Sequence, residues 1–195
     1  MLVSAAEARL QIPELSGTAE DTTLETLITR VGAAFARYCG YPGSSPTMES
    51  TSYTRYYDGP GGRDLVLDVW PIVSISSIYD DTTLDFTDSQ YLVSSSDYVV
   101  VNGRIVRLKN TSTHGAWSEG VGQIKVSFTA GYATVPDDLK HLAIMSVKHW
   151  FDLRRIQGKS NTSQGGVSVG FRDEEFLPAM VKAGLSPFRL PRAIL

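Results

Sequence analysis

Gly166-Val167-Ser168-Val169-Gly170 matches G-x-S-x-G, the pattern of a nucleophile elbow, in which a serine stands on a sharp strand-to-helix turn. That chemistry also needs an acid and then a histidine later in the chain to take the serine proton. No histidine follows His149, and a Ser/Gly-rich stretch precedes the motif, so a loop is the better reading. The three histidines are His114, His141 and His149. The last two stand about 80° apart on a helical wheel and lack the glutamate of an H-E-x-x-H pair, which argues against zinc. His149, beside Trp150, is better read as a hydrogen-bonded interface histidine. Asp80, Asp81, Asp85 and Asp88 are oxygen donors of the type calcium prefers, but the central glycine and closing glutamate of an EF-hand loop are missing. A solvated, charged hairpin tip is expected there. Asp58-Gly59-Pro60-Gly61-Gly62 has neither the Lys-Ser/Thr nor the following helix of a phosphate cradle, and reads as a turn. Arg154-Arg155 can grip a phosphate or a neighbour's carboxylates, or simply complement a helix C-terminus. Asn110-Thr111-Ser112 and Asn161-Thr162-Ser163 are glycosylation sequons only if the chain is secreted. No catalytic set emerges, and neither cofactor nor metal is expected.

Composition narrows the classes further. With 195 residues, the chain holds one large domain or two small ones. Its net charge of −3 and the lack of a Lys/Arg stripe remove the phosphate-neutralising term that dominates nucleic-acid binding. The single cysteine, Cys39, leaves no partner for an intrachain disulfide and no multi-thiolate metal site. No stretch has the length of a membrane span, and the first dozen residues lack the pattern of a signal peptide, so a soluble protein of a reducing compartment is expected.

The elements that must position these residues can be read from caps and periodicity. Ser4-Ala5-Ala6-Glu7 fits a capping box, with a short helix to about Leu10 before Pro13. Thr22-Thr23-Leu24-Glu25 reads as a second box. Leu24, Leu27, Ile28, Val31, Ala34, Phe35 and Tyr38 then hold the spacing of one helical face, which Gly40 and Pro42 end. A polar linker, 43–52, leads into β signals that continue to Gly131. These are runs at Asp64–Trp70 and Ile72–Tyr79, a hairpin of Tyr98–Val101 and Arg104–Leu108 around Asn102-Gly103, and alternation through Ile124, Val126 and Phe128. Gly158–Gly170 is flexible by composition. A weak helix at about Asp173–Ala183 and a Pro-punctuated tail follow. The expected class is α+β: a helical bundle of N-terminal helices plus a long C-terminal helix, an inserted small antiparallel β sandwich or barrel-like region, and a flexible C-terminal arm. The expected division is 1–45 with 132–195 for the helical core and arm, and 50–131 for the β insertion, as parts of one subunit.

The helix after Pro136 is the informative element. Leu139, Leu142, Ala143, Ile144, Met145, Val147, Trp150, Phe151, Leu153 and Ile156 occupy most of its circumference, and only His141, Lys148, Asp152 and Arg155 form a polar strip. So apolar a helix is expected to be covered on two sides. The reading assigns Leu139, Leu142, Ala143 and Trp150 to the subunit's own core. It assigns Ile144, Val147 and Phe151, with Lys148, Arg154 and Arg155, to a neighbouring copy.

Taken in order, these parts resemble the head–tail connector (adaptor, or head-completion) proteins of tailed bacteriophages. The resemblance rests on a capped helical pair, SAAEARL and DTTLETLITRVGAAFARYCG, and a β insertion carrying YYDGPGGRDLVLDVWPIVSISSIYD. It rests too on FTAGYATVPDDLKHLAIMSVKHWFDLRR, where a strand ends in an aromatic-flanked glycine and leads into a long helix, followed by a Gly/Ser loop and arm. It spans nearly the whole chain and carries no single diagnostic motif. The resemblance implies a structural, non-enzymatic subunit of the virion's head–tail interface, made in the host bacterial cytoplasm. It implies a ring of about a dozen copies, closed by two different faces per subunit, docked on the portal and presenting a surface to a downstream neck or tail-completion protein. DNA would pass through the channel without specific binding, and no membrane is involved. A C-terminal arm with Phe171, Phe176, Leu185, Phe188, Arg189 and Leu190 would reach the portal or a neighbour. The alternatives are another phage neck or tail structural protein, or a carbohydrate- or peptide-binding module using Tyr53, Tyr56, Tyr57, Tyr79 and Trp117 on the β region. An enzyme resting on Ser168 comes third.

Overall fold

The computed structural model describes residues 1–12, 20–154, 161–164, 167–170 and 177–190, with the backbone alone for the two strands between 161 and 170. They form two compact units. One comprises Met1–Cys39, Ser44–Pro46 and Val135–Arg189; the other comprises Gly40–Gly43, Thr47–Thr134 and Leu190.

The helical unit begins with α1 (Ala5–Gln11), whose capping box forms as its sequence requires: the Glu7 amide donates to Ser4 Oγ, and the Glu7 carboxylate accepts from the Ser4 amide at 2.8 Å. The second box does not form. Helix α2 (Asp21–Cys39) starts one residue before Thr22, and the Leu24 amide already bonds the Glu20 carbonyl, so Thr22 lies inside the first turn and Glu25 just past it. The apolar stripe of α2 packs as its spacing dictates, with Leu24, Ile28, Val31 and Phe35 buried. Gly40 follows at φ 88°, the left-handed conformation that ends the helix at little steric cost. The long helix α3 (Asp137–Leu153) and the short α4 (Ala179–Gly184) complete the unit, with α3 packed against α1, α2 and α4. Residues Asn161–Gln164 and Val167–Gly170 pair as an antiparallel hairpin, β7–β8, where composition had indicated an unstructured loop. Thr162, Val167 and Val169 supply the β-branched residues that favour such pairing.

The β unit contains two three-stranded antiparallel sheets and no closed barrel among the described residues. In the first sheet β6 (Glu119–Ala130) runs between β1 (Thr51–Pro60) and β3 (Ile72–Asp80). In the second, β5 (Ile105–Leu108) lies between β2 (Asp64–Val66) and β4 (Tyr98–Val101). The β4–β5 turn is the hairpin predicted from Asn102-Gly103, both at positive φ (53° and 61°). Strand β2 ends at Val66, shorter than the expected run to Trp70, and the peptide between Trp70 and Pro71 is cis. The core draws Leu65, Val106 and Leu108 from one sheet and Ile78, Ile124, Val126 and Phe128 from the other, with Trp117 buried and its indole N–H donating to the Arg63 carbonyl at 3.0 Å. Among the described residues no helix is long and apolar enough to cross a membrane.

Candidate functional site

The motifs with chemical promise resolve into structural roles. Ser168 lies within β8, paired with Ser163, and not on a strand-to-helix turn. Of the expected solvated tip, Asp85 and Asp88 are exposed, but Asp80 and Asp81 are buried. Asp81 accepts from the Thr83 hydroxyl and from the amides of Thr83, Asp85 and Phe86, at 2.7–3.1 Å. Burial works against its charge, but these four donors outweigh it and hold the carboxyl below its ordinary value. They also hold Leu84 and Phe86 at positive φ, 62° and 57°. Asp80 accepts from the Ser118 amide, and Asp88 caps the short 3₁₀ turn Ser89–Tyr91. These carboxylates therefore face their own backbone, and no three His, Cys, Asp or Glu side chains among the described residues are grouped to hold a metal.

In Asp58–Gly62, β1 continues to Pro60, and Gly59 is needed because a Cβ there would run into the Ser118 carbonyl. Gly131, the glycine ending β6, stands at φ 109°; its amide reaches the Pro71 carbonyl at 2.9 Å, and a Cβ would meet the Glu49 carbonyl. A side chain there would break the joint that closes the first sheet.

The aromatic residues offered as a binding platform do not all share one face; only Tyr56 and Tyr79 stand together, on either side of Lys125. Trp117 is core, and Tyr57 donates to Asp68 at 2.6 Å, its pKa raised by burial and then by that bond. Tyr53 lies half-buried against Phe128. Tyr56 is exposed, edge-on to Phe86, while Lys125 sits over the rings of Tyr79 and Phe86.

Helix α3 is where the sequence placed an assembly surface. Leu139 and Ala143 are buried as expected. Ile144, Val147 and Phe151 are buried too, at 6%, 0% and 2% exposure, so the face assigned to a neighbour is already covered by the chain itself. The reason is that α1, α2 and α4 all pack on this one helix and cover a wider arc than a single partner would. Ile144 lines a groove with Glu7, Leu10, Gln11, Asp137, Lys140 and His141; Lys140 pairs with Glu7 at 3.1 Å and Leu10 stands exposed at 86%. Trp150, assigned to the core, is only half-buried, edge-on to His149. Leu142 is half-buried near Gly184 of α4, and Met145 and Leu153 are also half-exposed. Lys148 is half-exposed and pairs with Asp152 at 3.3 Å. Arg154 makes a two-pronged bond with Glu20, both at 3.0 Å, and stacks over Phe151 at 3.9 Å, so it clasps its own helical unit. Arg155 lies outside the described residues.

The arm residues behave likewise. Leu185 and Phe188 are buried, the Leu185 carbonyl lies 3.9 Å from Cys39 Sγ, and the Arg189 guanidinium covers Tyr38. Leu190 is buried in the β unit, beside Gly40. These positions pack against their own chain. Phe171 and Phe176 lie outside the described residues. The sequence reading did not single out β1, although alternation of half-buried Tyr53, Arg55 and Tyr57 with exposed Ser52, Thr54 and Tyr56 marks it.

Solved structures share this fold. A chain from the neck of an empty gene transfer agent particle, computed with C6 symmetry, superposes with a TM-score of 0.56 at 17% identity, covering 99% of this chain and 92% of that one. A chain from the virion of a native gene transfer agent particle gives 0.58 at 16%, with the same coverage. One from the neck of the native particle, computed with C12 symmetry, gives 0.55 at 17%, covering 97% and 90%. A search of curated proteins found no match. The family model for head completion proteins matches residues 3–190, from the capped α1 to the last buried leucine of the described chain, and the protein therefore belongs to the head completion protein family.

Proposed function

We propose that this chain is a structural subunit of the head–tail junction of a tailed phage or phage-like particle. Copies form a ring on the portal, extend the DNA channel and offer the surface on which the next neck protein seats. The observation that carries this reading is the family match over residues 3–190, supported by a fold shared with chains of particles solved in the neck with C6 and C12 symmetry. The role is architectural, not catalytic, and the place of the protein is the virion neck. A net charge of −3 suits a conduit that DNA passes without adhering.

Contacts between copies then fall on what the helical unit leaves open. On α3 this includes the half-exposed Met145, and beside it the groove rimmed by Leu10. Portal and chain co-expressed, purified together and imaged by electron microscopy test the proposal. A ring of this chain seated on the portal is the expected result. A portal that never retains the chain, together with normal tail joining in a strain lacking its gene, overturns it.

A further inference from the structure

The first sheet has one guarded edge and one open edge. On β3 the register with β6 shifts twice, between Ile72 and Ser74 and between Ile75 and Ser77. The Val93 amide also bonds the Ile78 carbonyl at 2.9 Å, and the Ile72 amide bonds the Gly103 carbonyl at 2.7 Å. Bulges and covering segments are the usual protections of a sheet edge. Strand β1 has neither along Thr51–Tyr57, whose register with β6 runs unbroken from Ala130 to Ile124. None of these seven residues is buried, and among the described residues no backbone group outside β6 bonds to them. The segment holds no Pro and no Lys, and its one charge, Arg55, faces Asp68 at 3.6 Å.

The same chain carries a strand pair in need of support. The β7–β8 hairpin has four residues per strand, no charged residue from Asn161 to Gly170, and among the described residues no extensive packing on any other element. Two strands alone are marginal in water.

We infer that the β7–β8 hairpin of one copy adds to the β1 edge of the next, extending the β1-β6-β3 sheet by main-chain hydrogen bonds. Strand addition derives affinity from the backbone, and so suits the Ser/Thr-rich composition of both partners. Edge and hairpin are different surfaces, so the contact is head-to-tail, the kind that closes a ring when the rotation between copies allows it. The inference rests on the ring reading above.

The test compares hydrogen exchange of the full-length chain, free and assembled on its portal. The amides of Thr51–Tyr57 that point away from β6 are expected to slow about tenfold or more on assembly. Replacing residues 161–170 with a Gly/Ser linker of equal length should abolish that slowing. A T54C/S168C chain treated with a short bis-maleimide should give a ladder of linked copies in the assembled ring. A ring whose β1 amides exchange as in the free chain, or a link formed only within single chains, overturns the inference and leaves the ring reading intact. Failure of the unmodified chain to bind the portal overturns both.

Discussion

Replacing Phe151 separates a core residue from an interface residue. The ring is 2% exposed, in the last turn of α3, with the Arg154 guanidinium 3.9 Å from its centre. Truncating a buried phenylalanine costs about 3–5 kcal/mol. A position in a terminal turn, where neighbours can close partly over the gap, belongs at the low end. Loss of the stacked guanidinium adds roughly 0.5–1 kcal/mol. Phe151→Ala should therefore destabilise the free chain by about 3–4 kcal/mol, a large part of the roughly 5–15 kcal/mol that holds a domain folded. Trp150→Ala, at a half-buried site, should cost about 1–2 kcal/mol. Urea unfolding followed by far-UV circular dichroism measures both. With a slope near 2 kcal/mol per molar, the Phe151 midpoint should fall by about 1.5–2 M and the Trp150 midpoint by about 0.5–1 M. If Phe151→Ala leaves the free chain within about 1 kcal/mol of the parent yet abolishes ring formation, Phe151 faces a neighbour and the burial argument fails.

Three further outcomes follow from single residues. Ser4→Ala removes the cap of α1 and should cost about 1 kcal/mol in the denaturation midpoint. The Ser4 amide and hydroxyl, then Lys140, hold the Glu7 carboxyl down to about 2 from its usual 4.5. Because the folded value is the lower one, that stabilisation is complete above about pH 4.5 and is lost as pH falls toward 2; Glu7 is 43% exposed, so solvent keeps its share small. An acid titration in which the gap between Ser4→Ala and parent chains narrows as pH falls toward 2, leaving the part due to the pH-independent bond from the Glu7 amide to Ser4 Oγ, agrees with this; a constant gap contradicts it. The Cys39 thiol is pushed up to about 11 by burial, so it should resist a thiol reagent at neutral pH until the chain unfolds; rapid labelling of the folded chain would show that the α2–α4 contact opens. Asp81→Ala removes the acceptor of four hydrogen bonds, and the amides of Asp85 and Phe86 should exchange faster while those of β6 do not; unchanged exchange would mean that other contacts set the 81–88 loop.

Features governed by nearby residues were legible in the chain itself. The Ser4–Glu7 box, the α2 stripe with its Gly40 stop and the Asn102-Gly103 turn depend on interactions within a few residues, and each formed where its residues stood. The order of elements followed from them, and with it the resemblance that the family match bears out. A hairpin from Asn161 to Gly170 was hidden because Ser, Thr and Gly serve loops and strands alike. The start of α2 moved by two residues because the Glu20 carbonyl, not a Thr22 box, received the first amide.

Helical periodicity showed that nearly every side of α3 is apolar, but not which body covers each side. Burial is a sum over elements distant in sequence, and α1, α2 and α4 together enclose Ile144, Val147 and Phe151 in a way no local pattern encodes. The same holds for Asp80 and Asp81, whose charges look solvated until the chain folds its own amides around them. Pairing partners likewise decided that β3 is a guarded edge and β1 an open one, since an edge exists only once a sheet does. Residue types thus determined the elements, their order and the family. Tertiary structure alone decided which surfaces remain for a partner.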